Sequence, residues 1–120
     1  FKHHPNAEGV QWFARNVVPL LAPENRETRL NIYGSGMGDD IRALRNDHIL
    51  PHGFVKNACD AYHSHRVFVA PLLSGAGIKG KLLEAMIMQT PSITTPIGSE
   101  GMHNTLPWPG VARPCPPDRP

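Results

Sequence analysis

Two lysines and one glutamate lie close together near the middle of the sequence, directly after a run of small residues. Lys79, Lys81 and Glu84 follow the run at 74–77, which itself follows the apolar segment 67–70. This order predicts a β-strand, a glycine loop and the beginning of an α-helix. The first N–H groups of a helix are unpaired and its dipole is positive at that end, so the junction is suited to binding an anion such as phosphate.

The positive charge at this predicted helix start indicates a ligand from outside the chain. A helix dipole favours acidic side chains near its N-terminus, whereas Lys79 and Lys81 are both cationic. An anionic ligand would balance their charge, and Gly75 and Gly77 would let a phosphate approach the backbone closely. We therefore predict an anion site formed by the glycine loop and the helix start.

Glu84 is a carboxylate within this cationic region. It follows Gly80 by four residues and Lys81 by three, so the three share a helix face, and helical side chains lean toward the N-terminus. A carboxylate beside a diphosphate is repulsive unless it binds a neutral, hydroxylated group, and the cis-diol of a ribose fits that need. The alternative is a surface ion pair with Lys81, worth roughly a few tenths of a kcal/mol.

The rest of the chain alternates between strand-like and helix-like segments. Residues 28–33 alternate in polarity as a strand does, and residues 48–53 and 91–95 predict two further strands. The Gly-Ser-Gly sequence at 34–36 predicts a tight turn after the first of them. The predicted fold class is therefore α/β, with a Rossmann-like, mainly parallel sheet flanked by helices and ligand loops at its carboxyl edge.

Polar residues and prolines predict where helices begin and end. Asn6 is expected to cap a first helix, whose apolar residues recur at helical spacing and which Pro19 should end or bend. We interpret Trp12 as a core residue of that helix rather than as a ring that stacks on a ligand. Further along, Asn57 is expected to cap a short helix in which Tyr62 serves packing.

Composition argues against several other classes of protein. The chain has 120 residues, 40% hydrophobic and 18% charged, with a net charge of +2, which is typical of a globular domain and gives no reason to expect nucleic acid as a partner. It has no membrane-length apolar stretch and no signal-peptide pattern, so we expect a cytoplasmic protein without an integral membrane segment. Two cysteines and seven scattered histidines lack metal-ligand spacing, which predicts free thiols and no metal site.

Several of these motifs together resemble the donor-binding, C-terminal half of GT-B glycosyltransferases of family 4, also called group 1. That family usually carries two glutamates eight positions apart, followed by Ala-Met, a small residue, proline and a strand. Glu84, Ala85, Met86 and Pro91 match this pattern, whereas Ala76 stands where the first glutamate would be, a departure that bears on the donor sugar. The resemblance covers most of the chain and includes residues 4–6, 32–36, 53–55, 71–95 and 98–102.

The resemblance implies roles for the residues identified above. Lys79 and the backbone N–H groups of residues 77–80, which include Gly77, Ile78 and Gly80, would hold the diphosphate of a nucleoside diphosphate sugar and stabilise its charge as the glycosidic bond breaks. Glu84 would hold the ribose, which makes Lys79 and Glu84 the candidate catalytic residues. That sugar nucleotide is the donor substrate, and no separate cofactor or metal is expected. Four further residues complete the predicted nucleotide site: Gly34, Ser35, Gly36 and Val55.

We predict a nucleotide-sugar-binding domain at 1–105 and a Pro-rich tail at 106–120, where six of 15 residues are proline. No apolar strand precedes Phe1, so we expect the first strand of the sheet to be missing, which would leave apolar surface that favours self-association. The resemblance implies an acceptor-binding domain elsewhere in the full-length chain, so this fragment alone should be inactive. Residues 113–120 do not resemble the family.

Two other functions are compatible with this architecture. A sugar-nucleotide epimerase would need an acid–base pair near the sugar, and Ala76 supplies none. A non-catalytic nucleotide-binding module would have no acceptor-binding domain beside it in the complete reading frame. The leading hypothesis is the donor-binding domain of a glycosyltransferase that transfers a hexosyl group from a nucleoside diphosphate sugar to an acceptor.

Overall fold

A computed structural model describes residues 4–21, 27–77 and 79–102 of the chain. The chain divides into two compact units, Phe1–Ala58 and Cys59–Pro120. Both strand pairs among the described residues are parallel, and strands alternate with helices, so the predicted α/β class is confirmed. No helix within those residues is both long and apolar enough to cross a membrane. The predicted boundary at 105/106 lies outside the described residues and stays a prediction.

The first unit contains one pair of strands and three short or medium helices. Its elements are α1 (His4–Asn16), α2 (Val18–Leu21), β1 (Leu30–Tyr33), α3 (Asp39–Arg42) and β2 (Ile49–Gly53). β1 and β2 run parallel. Burial alternates along β2, and in β1 Ile32 is more deeply buried than its neighbours. One apolar core joins all five elements through Ala14, Val18, Ile32, Ile41 and Ile49.

The second unit carries the lysines and the glutamate. Its elements are α4 (Ala58–His63), which begins at the last residue of the first unit, β3 (Phe68–Ala70), α5 (Gly80–Ile87) and β4 (Ser92–Thr94). β3 and β4 pair in parallel, and α5 is the crossover that connects them. Leu82 on α5 is fully buried against Ala70 of β3. Burial of this leucine fixes which face of α5 is turned outward, and with it the placement of the charged residues.

The first helix differs from its sequence-based prediction. α1 already includes His4, so Asn6 lies inside the helix and does not cap it. Pro5 suits this arrangement, because a residue in the first turn needs no partner for its N–H group. Trp12, predicted to be a core residue, is 39% exposed. α1 ends three residues before Pro19, as expected.

Gly98 lies where the β3–β4 pair leaves no room for a side chain. A Cβ atom at this position would be 1.8 Å from Thr94 Oγ1 and 3.4 Å from the Ala70 carbonyl oxygen. Thr94 is buried and donates a 2.8 Å hydrogen bond to that same oxygen, and its branched side chain has little rotamer freedom. We expect Gly98→Ala to lower the free energy of unfolding by about 1–3 kcal/mol, measured as a lower urea midpoint.

Gly80→Ala provides the matched control for that substitution. Gly80 opens α5, and a Cβ atom there would have no neighbouring heavy atom within 4 Å. Alanine should therefore leave the urea midpoint unchanged, or raise stability by up to about 1 kcal/mol through its helix propensity. If Gly98→Ala and Gly80→Ala unfolded at the same urea concentration, the close approach of Gly98 to Thr94 would not matter for stability.

Candidate functional site

Lys79 is the residue directly before α5, two positions after the glycine loop ends at Gly77. Its backbone is extended (φ −96°, ψ 113°), and its side chain does not cap the helix. The side chain instead folds back over the loop, where Nζ donates a hydrogen bond to the Gly77 carbonyl oxygen. Gly77 has a φ of 77°, which glycine adopts without strain. The ammonium group therefore lies on the glycine loop.

The beginning of α5 has backbone N–H groups that the helix itself does not use. Leu82 and Leu83 each donate to the Lys79 carbonyl oxygen at 3.2 Å, and helix geometry leaves the N–H groups before them without an intrahelical acceptor. The first turn contains no acidic side chain, and the space around Gly80 is open. These features suit an anion. Ile78, the predicted source of one backbone N–H group, lies outside the described residues.

Glu84 lies on α5 with its carboxylate turned back toward the first turn, as predicted. Its Oε2 atom is 3.6 Å from Lys81 Nζ, and the two side chains are 45% and 75% exposed respectively. The surface ion pair considered as the alternative is therefore present, but at this exposure it contributes little. The same Oε2 atom also accepts a 3.0 Å hydrogen bond from the hydroxyl of Tyr62. Glu84 is thus held by a residue that the sequence analysis assigned to packing alone.

Tyr62 is buried on α4 and reaches α5 through its hydroxyl. The hydroxyl lies 3.0 Å from Glu84 Oε2 and 3.3 Å from the Lys81 carbonyl oxygen. Burial raises the pKa of Tyr62, and the hydrogen bond to Glu84 raises it further, so the hydroxyl keeps its proton and acts as a donor. The one signal in the sequence was its residue type, since a buried tyrosine usually finds a partner for its hydroxyl.

The remaining predicted site residues belong to the first unit. The 34–36 turn follows β1, and Val55 follows β2, so both lie beyond the carboxyl ends of paired strands. Gly34 N–H donates a 2.8 Å hydrogen bond to the Gly53 carbonyl oxygen, which joins the two strand ends. Ser35 and Gly36 are exposed, whereas Val55 is half-buried. Their predicted participation in one site with Lys79 and Glu84 stays a prediction.

Within residues 4–21, 27–77 and 79–102, no three His, Cys, Asp or Glu side chains lie close enough together to hold a metal ion. Cys59 forms no disulfide within these residues, and Cys115 lies outside this part of the chain. The expectation of metal-independent chemistry therefore stays a prediction.

Comparison with known sequences relates most of the chain to one family. The sequence profile of the family described as "Glycosyl transferases group 1" matches residues 1–110. A Klebsiella pneumoniae protein described as "Uncharacterized 44.6 kDa protein in cps region" is 30% identical over 105 residues, which is 80% of this chain and 27% of that protein. The chain thus spans about a quarter of the length of this curated relative. No solved structure matches the chain.

Proposed function

We propose, since this chain belongs to the group 1 glycosyltransferases, that it binds the nucleoside diphosphate of a sugar donor for a hexosyltransferase. The main support is that the ammonium group of Lys79 and the carboxylate of Glu84 both lie near the first turn of one helix, α5. Lys79 lies on the glycine loop, and Glu84 is turned back toward the same turn of α5. In this proposal the chain is one Rossmann-like half of a GT-B fold.

Lys79 and the helix start would serve the diphosphate. During transfer, the bond between the anomeric carbon and a diphosphate oxygen breaks, and the diphosphate leaves with the bonding electrons. The acceptor oxygen bonds to the anomeric carbon and loses its proton. Charge grows on the leaving diphosphate in that step, so a fixed ammonium group and unpaired N–H groups would stabilise the transition state most. Lys79 Nζ donates a hydrogen bond to the Gly77 carbonyl oxygen, and a phosphate oxygen would replace that oxygen as the acceptor.

Glu84 would bind the ribose hydroxyls. Both of its contacts with described residues use Oε2, so Oε1 remains able to accept a hydrogen bond from a ligand hydroxyl. Hydrogen bonds from a neutral hydroxyl to a carboxylate are stronger than those between neutral groups. A ribose therefore suits this oxygen better than a second phosphate, which Glu84 would repel.

Titration calorimetry tests the proposal. The chain is titrated with UDP, GDP and ADP, and then with uridine, guanosine and adenosine. We expect one of the diphosphates to bind measurably and its nucleoside to bind more weakly, because the phosphate contacts with Lys79 and the helix start are lost. If none of the three diphosphates bound, or if nucleoside and diphosphate bound equally well, the proposed donor site would be wrong.

The 120-residue chain by itself should bind donor without transferring sugar. Transfer needs the acceptor oxygen within about 3–3.5 Å of the anomeric carbon, and in a GT-B enzyme the acceptor is held by the other domain. Incubation with a panel of nucleotide sugars, followed by an assay for released nucleoside diphosphate, measures this. Release at about 1 per second or faster would contradict the half-site interpretation. Inversion of a sugar carbon without release of diphosphate would instead favour the epimerase hypothesis.

A further inference from the structure

The ring of Tyr62 is held in place by contacts that do not involve Glu84. Its centroid lies 5.5 Å from that of Phe68 on β3, in an edge-on arrangement at 60°. Its backbone carbonyl oxygen accepts a 3.3 Å hydrogen bond from the hydroxyl of Thr90, which follows α5 and is itself buried. Tyr62 is only 9% exposed. These contacts therefore fix the position of the ring without a contribution from α5.

The orientation of the Glu84 side chain depends on Tyr62 more than the position of the Tyr62 ring depends on Glu84. The glutamate side chain is long and 45% exposed, so without a partner it would sample several rotamers in water. Tyr62 donates to it at 3.0 Å, and the same hydroxyl is 3.3 Å from the Lys81 carbonyl oxygen in the first turn of α5. The hydroxyl thus holds the carboxylate alongside that first turn, where the diphosphate end of a nucleotide would lie.

We infer that Tyr62 is a positioning residue that orients Glu84 toward the ribose of the donor. This inference rests on the proposed function, because it assigns Tyr62 to the ribose part of the same site. One carboxylate oxygen, Oε2, is occupied by the tyrosine hydroxyl, and the other is then presented to the ligand at a fixed angle. A ligand hydroxyl meets a carboxylate whose rotamer freedom is already lost, which reduces the entropy cost of binding.

Tyr62→Phe removes the hydroxyl and keeps the ring against Phe68. We expect this variant to bind the preferred one of UDP, GDP and ADP about three- to tenfold more weakly. The 2′,3′-dideoxy form of the same nucleotide should bind equally well to wild type and variant, because it lacks the hydroxyls that Glu84 would bind. In a Glu84→Ala background, the additional change Tyr62→Phe should cost no further affinity for the ribonucleotide.

These measurements distinguish a failure of the positioning role of Tyr62 from a failure of the proposed donor site. Suppose that Glu84→Ala no longer bound the ribonucleotide more tightly than its dideoxy form, but Tyr62→Phe still did. The positioning role of Tyr62 would then be wrong, and the proposed donor site would remain valid. Equal losses for ribonucleotide and dideoxynucleotide in Tyr62→Phe would make Tyr62 a packing residue only, which also overturns the inference. Ile41→Val is the packing control, because Ile41 is fully buried in the apolar core of the first unit: the variant should have lower stability and an unchanged ribose preference. Absence of nucleotide binding by the wild-type chain would overturn both proposals.

Discussion

Replacing Glu84 by alanine should weaken nucleoside diphosphate binding by about tenfold or more, equivalent to roughly 1.5–3 kcal/mol. The loss has a specific cause, because the substitution removes the carboxylate that is placed to accept ribose hydroxyls beside the start of α5. The loss of the ion pair with Lys81 has little effect on stability at this exposure. Calorimetric titration of the folded variant with UDP, GDP and ADP measures the effect.

Two controls accompany the alanine substitution. Asp47→Ala removes one negative charge from an exposed turn that precedes β2, at the opposite end of the strands from the 34–36 turn and Val55. It should therefore leave affinity unchanged, and it controls for the change in net charge. Glu84→Gln keeps the size of the side chain and removes its charge, so it should lose part of the affinity that alanine loses. If a folded Glu84→Ala variant kept the wild-type affinity, Glu84 would serve only the surface ion pair with Lys81 and would not bind the ribose.

Replacing Lys79 by glutamine should reduce affinity for a diphosphate about tenfold and leave affinity for the free nucleoside almost unchanged. The ammonium group lies on the glycine loop, where it would meet the phosphates rather than the base or ribose. Because the interaction is ionic and partly exposed, the difference between wild type and variant should shrink as salt is added. Titrations with diphosphate and nucleoside at low and high ionic strength measure both effects.

Lys81→Gln is the matched control for Lys79→Gln. The Lys81 side chain is 75% exposed and turned toward Glu84. Its replacement should therefore reduce diphosphate binding clearly less than the replacement of Lys79. Both variants lose one positive charge, which removes the contribution of net charge from the comparison. If both lost nucleoside and diphosphate affinity equally, the lysines would serve the structure and the anion site would lie elsewhere.

The strands and the central helix could be predicted because local patterns specify them. β3, the glycine loop and α5 follow from an apolar run, small residues and helical spacing, and Leu82 is fully buried as that spacing requires. The Lys81–Glu84 contact follows from a separation of three residues on one helix. The turn at 34–36 follows from two glycines in three positions. None of these inferences needs knowledge of how distant segments meet.

Features that depend on distant segments could not be predicted. Tyr62 and Glu84 are 22 positions apart, and no local pattern connects them, so the sequence indicated only that Tyr62 would pack. Trp12 was misassigned because α1 buries the face that contains Gly9 and Ala14, and helical spacing alone does not say which of two apolar stripes is covered. The start of α1 was placed too late because Asn6 is a good capping residue by type.

The glycine loop and the start of α5 are proposed to bind a nucleoside diphosphate. The most direct test is a ¹⁵N-resolved NMR titration of the assigned chain with UDP, GDP and ADP. We expect one nucleotide to produce saturable shifts, and we expect the largest amide shifts within residues 75–84, around Lys79 and Glu84. Saturable shifts confined to other residues, or no shift with any of the three nucleotides, would contradict it.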